Sequence, residues 1–169
     1  MARGFTILEM CIALAIMTVL GGAVVGMAGR MMDYLGEQDV RQAFVLDATS
    51  TFAKLDVELR ESGNATIGAT RYPFTASDGA ELCFLRLDNP PCTFDGGTDL
   101  RWNPTEIRLN TENRELRLYE GGVRRATLIT KVDRCLFTIS GRAIAIDLEL
   151  ADADARVRDR FRRIIVMRN

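Results

Sequence analysis

The chain has 169 residues, with 22 basic against 23 acidic side chains and a formal net charge of −1. No global field therefore draws it towards nucleic acid or a strongly acidic partner. It has no histidine, which removes the commonest general base and metal ligand, and its length suits an anchor followed by one modest domain.

The first element is an apolar run from Phe5 to Gly29, long enough to cross a membrane as a helix. Its only charged side chain is Glu9. A carboxylate inside a span costs at least ~2.5 kcal/mol and calls for a partner. No Lys or Arg lies at helical spacing from Glu9. The expected partner is therefore not local, and is either interfacial water or a positive charge from another chain. A secretory signal peptide fits poorly. Such peptides have an apolar region of about 7–15 residues and a small-residue cleavage site after it. Flanking charge gives little orientation, because Arg3 on one side is matched by Arg30 on the other.

Gly4-Phe5-Thr6-Ile7-Leu8-Glu9 at the head of the span resembles the processing site of type IV prepilins and type II secretion pseudopilins. The resemblance implies a leader over residues 1–4, peptidase cleavage between Gly4 and Phe5, and N-methylation of Phe5. It also implies a cytoplasmic N-terminus and a role for Glu9 in assembly. The new α-amine would be largely protonated at neutral pH, its reference pKa being about 7.7–8.0. It would lie four residues from Glu9, roughly 6 Å along a helix axis. A stagger of that size between parallel helices sets one chain's amine against its neighbour's carboxylate. In a low-dielectric bilayer such a pair acts as a register device.

Beyond residues 5–29 the helical pattern continues over 30–62. Phe44, Ala48, Phe52, Leu55 and Leu59 form one apolar stripe, with Asp47, Lys54, Asp56, Arg60 and Glu61 on other faces. Gly21, Gly22, Gly26, Gly29 and Gly36 weaken the helix by up to about 1 kcal/mol each. In a membrane they also permit close helix packing. Ser62-Gly63-Asn64 reads as the helix stop. Residues 63–80 read as a Gly-, Thr- and Ser-rich connector, and 81–169 as a β-rich domain.

In that domain Leu82, Phe84 and Leu87 mark a first strand. Ile107 and Leu109, with Leu116 and Leu118, flank the turn Asn110–Asn113 as a hairpin, and Gly121-Gly122 marks another turn. Cys135–Ile139 and Ile144–Leu150 pair across Ser140-Gly141-Arg142, and Phe161–Met167 is a last strand. The fold class is α+β, a long N-terminal helix packed on an antiparallel sheet. This again resembles pilins. Leu55-Asp56-Val57-Glu58-Leu59-Arg60 and the strand-rich half are most similar to the minor pseudopilin J class.

Among the cysteines, Cys11 reads as a small apolar residue of the span. Cys83 and Cys92 bracket a Pro-Pro turn, and a disulfide between them would suit an oxidising periplasm. Pairing of either with Cys135 remains open. Asp95-Gly96-Gly97-Thr98-Asp99, with Asp88 nearby, offers oxygen ligands for Ca2+. It lacks EF-hand spacing, and a solvated turn is preferred. Arg156, Arg158, Arg160 and Arg162 alternate through the tail. They read as a charged edge against unwanted strand pairing rather than as an acidic-partner or nucleic-acid patch. Glu112 and Glu115 fall at a turn, where exposure is the default.

No nucleophile–base pairing, phosphate loop or redox Cys-x-x-Cys occurs. The expectation is a non-enzyme without cofactor, itself the substrate of prepilin peptidase. It would be a single-pass inner-membrane protein with a periplasmic domain. Its partners would be other pseudopilins or pilins and an inner-membrane assembly platform, not nucleic acid. The leading function is a minor pseudopilin near the tip of a periplasmic filament that drives protein export. The alternative is a minor pilin of a type IV pilus for adhesion, motility or DNA uptake. A membrane-anchored periplasmic enzyme ranks third.

Overall fold

The computed structural model describes residues 6–60, 62, 63, 65–67, 69–88 and 101–167. The chain divides into two compact units between Val40 and Arg41. Helix α1 runs from Ile7 to Arg60. In the first unit it is apolar and long enough to cross a membrane. Every large apolar side chain from Ile7 to Leu35 is more than half exposed, the least being Ile12 and Leu35 at 51 %.

In the second unit the helix turns Phe44, Ala48, Thr51, Leu55 and Leu59 inward. The stripe differs from the expected one at a single step: Thr51 is buried where Phe52 was expected, and Phe52 is half-buried. The Thr51 hydroxyl donates to the Leu128 carbonyl at 3.2 Å, so a polar residue takes a core position with its hydroxyl hydrogen-bonded. The helix stops where Ser62 donates its hydroxyl to the Leu59 carbonyl at 2.7 Å, satisfying one of the last orphan carbonyls.

Eleven strands follow among the described residues: β1 (Ser62–Gly63), β2 (Ala65–Ile67), β3 (Thr70–Tyr72), β4 (Phe74–Ala76), β5 (Glu81–Asp88), β6 (Arg101–Asn110), β7 (Glu115–Glu120), β8 (Val123–Ile129), β9 (Val132–Ser140), β10 (Ala143–Ala151) and β11 (Arg158–Val166). One sheet has the order β1-β5-β6-β7-β8, with β4 also on the β1 side of β5; a second has the order β11-β10-β9, and β2 and β3 form a short ribbon. All pairings are antiparallel. The expected α+β class is therefore present, as one long helix and antiparallel sheets.

Three expectations change. The segment 63–80 is not a plain connector: β1 and β4 lie along β5, Ser62 opposite Arg86 and Phe74 opposite Cys83. Strand β8 had no period-two signal, since Val123, Arg124 and Arg125 are all exposed before Leu128 and Ile129 turn inward. The last strand starts at Arg158 rather than Phe161, because alternating arginines conceal its register.

The turns follow from chemistry. Gly121 and Gly122 both take positive φ (58° and 81°) and join Glu120 to Val123, the backbone demand of a type I′ hairpin. Pro104 sits inside β6, where its oxygen accepts from the Gly121 N–H at 3.1 Å. Pairing with β7 begins only at Thr105, so the missing proline donor breaks no ladder bond.

The core lies between α1 and the sheets. Leu82, Ile107 and Leu118 form one cross-strand row, each at most 4 % exposed. Ile144, Ile146, Leu148 and Leu150 of β10 supply the second sheet's buried face. The Arg41 guanidinium reaches Asp159 at 2.7 Å, and Arg86 reaches Glu58 at 3.3 Å, tying α1 to both sheets.

Candidate functional site

Glu9 occupies the first turn of α1. Its Oε2 accepts from the Thr6 backbone N–H at 2.9 Å and from the Thr6 hydroxyl at 3.0 Å. The Glu9 N–H donates back to the Thr6 hydroxyl oxygen at 3.3 Å. This reciprocal pair is a capping box, with Thr6 as N-cap and Glu9 three positions on. It also sets a carboxylate at the positive end of the helix dipole.

The geometry corrects the expectation that Glu9 has no local partner. Its signal was present in the sequence as Thr-x-x-Glu, Thr6-Ile7-Leu8-Glu9, but a search confined to cations passes over a hydroxyl. The local donors are neutral, and they engage one oxygen only. Glu9 Oε1 has no partner among the described residues. Gly4 and Phe5, the expected cleavage and methylation positions, lie outside the described residues.

The outer face of the first sheet gathers Glu81, Cys83 and Glu106, with ligand atoms within 4.8 Å of one another. It fits a cation poorly, because Arg108 already fills the space. Arg108 reaches Glu81 at 2.8 Å, bonds Glu106, and lies over the Tyr119 ring at 5.1 Å. The Cys83 thiol is pushed up to about 11, first by burial, then by repulsion from Glu81 and Glu106, with Arg108 opposing. A thiol must lose its proton to ligate metal, so this one is held in the wrong state.

Cys83 is a free, buried thiol. Cys92 lies outside the described residues, so the Cys83–Cys92 loop stays a proposal. Cys135 is also free and buried, and its thiol is pushed up to about 12 by burial and then by Asp147. Asp95 and Asp99, the candidate calcium ligands, lie outside the described residues, as does the side chain of Asp88.

Three of the tail arginines meet acids. Arg158 meets Asp133 at 3.1 Å and Glu149 at 3.2 Å. Arg160 meets Asp147 at 3.1 Å, and Arg162 meets the same carboxylate at 4.0 Å. Glu115 pairs with Arg117 at 2.8 Å, while Glu112 falls in the exposed turn before β7. A groove of about 390 Å3 between α1 and β8 is lined by Asp47, Ser50, Lys54 and Thr127, among others. Ser50 donates its hydroxyl to the Asp47 carbonyl at 3.1 Å, within its own helix.

The chain matches no known family model, no curated protein and no solved structure.

Proposed function

We propose that this chain is a structural subunit, a minor pseudopilin of a type II secretion system. In this reading the first unit anchors it in the bacterial inner membrane with its N-terminus cytoplasmic. The strand-bearing unit is periplasmic, and the subunit enters a filament that drives protein export. One observation carries the reading: Gly4-Phe5-Thr6-Ile7-Leu8-Glu9 leads directly into a helix whose large apolar side chains from Ile7 to Leu35 are each more than half exposed among the described residues. Such a surface needs lipid or other helices around it.

Glu9 then has two duties. Oε2 caps its own helix through Thr6. Oε1 is left for the Phe5 amine of a neighbouring subunit, exposed after cleavage. The capping bonds lower the cost of carrying a carboxylate into the membrane before that neighbour arrives.

Two substitutions separate the duties. Glu9→Gln keeps a side chain that serves at this capping position but removes the charge. Glu9→Leu removes both. Each is expected to insert and to be cut after Gly4, and each is expected to lose cross-linking to partner pilins together with export. The measurements are membrane fractionation, N-terminal mapping and cross-linking in one strain. Normal cross-linking and export with Glu9→Gln would show that Glu9 serves only its own helix. Loss of surface piliation with export intact would move the chain to type IV pili.

A further inference from the structure

The second sheet ends on β11, whose nine residues all pair with β10 without a bulge, from Arg158 opposite Ala151 to Val166 opposite Ala143. No strand takes its other edge among the described residues. The other long strands that border a sheet are each blunted or covered, and β1, β2, β3 and β4 are only two or three residues long. Strand β8 carries two register shifts, and its end lies under Thr51 of α1. The outer side of β5 is taken by β1 and β4 in tandem. Phe137 of β9 is covered by Gly79, whose added Cβ would stand 3.0 Å from the Phe137 carbonyl oxygen. A long, regular, uncovered edge is a template for strand addition.

Its outward residues have a definite chemistry. Arg158, Arg160 and Arg162 project from the first half of the strand, their side chains 53 %, 69 % and 66 % exposed. Ile164 and Val166 follow on the same face, also more than half exposed. The acids beneath do not saturate the arginines: the single Asp147 carboxylate serves both Arg160 and Arg162. Arg163 is exposed and makes no ion pair among the described residues. Two copies of this chain paired along β11 would set arginine-bearing halves against each other or against Ile164 and Val166. Like charges opposite one another destabilise a sheet.

We propose that the free edge of β11 receives an extended segment of another protein as an added strand. That segment is acidic opposite Arg158, Arg160 and Arg162 and aliphatic opposite Ile164 and Val166. Backbone hydrogen bonds supply the attachment, and the arginines reject neutral or basic strands while accepting acidic ones. The proposal rests on the strand-bearing unit alone, and does not depend on the pseudopilin reading.

The test uses the full chain in detergent micelles and a labelled peptide of about ten residues alternating Glu with Val. Fluorescence anisotropy is expected to give saturable binding that weakens with salt, and hydrogen exchange is expected to slow along β11. A peptide of the same sequence with alternate amides N-methylated, and one with Lys in place of Glu, are expected not to bind. The double variant Arg160→Glu with Arg162→Glu should lose about tenfold or more in affinity for the Glu peptide. It should also gain binding of the Lys peptide, an exchange of preference that general unfolding cannot produce. Several results would each overturn the proposal: no binding, equal binding of the N-methylated peptide, or protection at β8 instead of β11. So would self-association of the full chain through β11.

Discussion

Glu9 and Cys83 are both acids with close neighbours that the fold specifies. Thr6 donates twice to one Glu9 oxygen, through its N–H and its hydroxyl. Cys83 has two carboxylates and a buried position, so its neutral form is favoured. A rise from 9.0 to about 11 leaves about a hundredfold less thiolate near pH 8. Iodoacetamide should therefore label Cys83 far more slowly in the reduced folded chain than in the unfolded one. The linkage sign follows: with the folded value above the unfolded one, the contribution is complete below about pH 9 and is lost as pH rises towards about 11. Cys83→Ala should flatten that alkaline loss in a thermal-melt series. Equal labelling rates in folded and unfolded chain at pH 8 would contradict the account.

At the scale of elements, α1 is held by an inward stripe of five residues in which one is a threonine. Leu55 is 1 % exposed, and Leu55→Ala should cost about 2–5 kcal/mol by loss of contacts and the cavity left behind. Thr51→Val is a different change, preserving shape while removing the buried bond to the Leu128 carbonyl. It should cost about 1–3 kcal/mol. Urea unfolding of the full chain in detergent measures both, and a neutral Thr51→Val would show that the hydroxyl is not needed there. Thr51 was hidden because periodicity counts apolar residues, and its burial depends on an acceptor 77 positions away in sequence. Strands β1 and β4 were hidden for a related reason. Too short to show alternation, they are ordered by the β5 edge they lie along.

At the scale of the whole molecule, the two units differ in what they do with their apolar side chains. From Arg41 onward the chain buries its own core, whereas every large apolar side chain from Ile7 to Leu35 is more than half exposed. An added Cβ at Gly21, Gly22, Gly26 or Gly29 meets nothing within 4 Å. Gly26→Leu should accordingly leave the melting of the strand-bearing unit unchanged. If the small residues pack against neighbouring helices, as the assembly reading holds, cross-linking to partner pilins should fall. Unchanged cross-linking would assign those glycines no packing role, and a lowered melting temperature would mean the units are energetically coupled.

What the sequence determined by itself was carried by local or strictly periodic signals. These include the apolar span, the processing-like Gly-Phe junction, the helix that outlasts the span, the turn at Gly121-Gly122, and the hairpins around Asn110–Asn113 and Gly141. Each depends on neighbours within a turn or two, so a linear reading reaches it. Tertiary structure decided what depends on distant partners. It placed Thr51 under a strand carbonyl, turned the expected connector into edge strands, and enclosed Cys83 between two carboxylates and an arginine. It also left β11 as the long uncovered edge among the described residues. The capping box stands between these classes: its four-residue spacing was legible in Thr6-Ile7-Leu8-Glu9, but only the folded helix assigned one carboxylate oxygen to Thr6, with no partner for the other among the described residues. Local chemistry specifies which bonds a segment can form, and packing across the chain selects which of them are made.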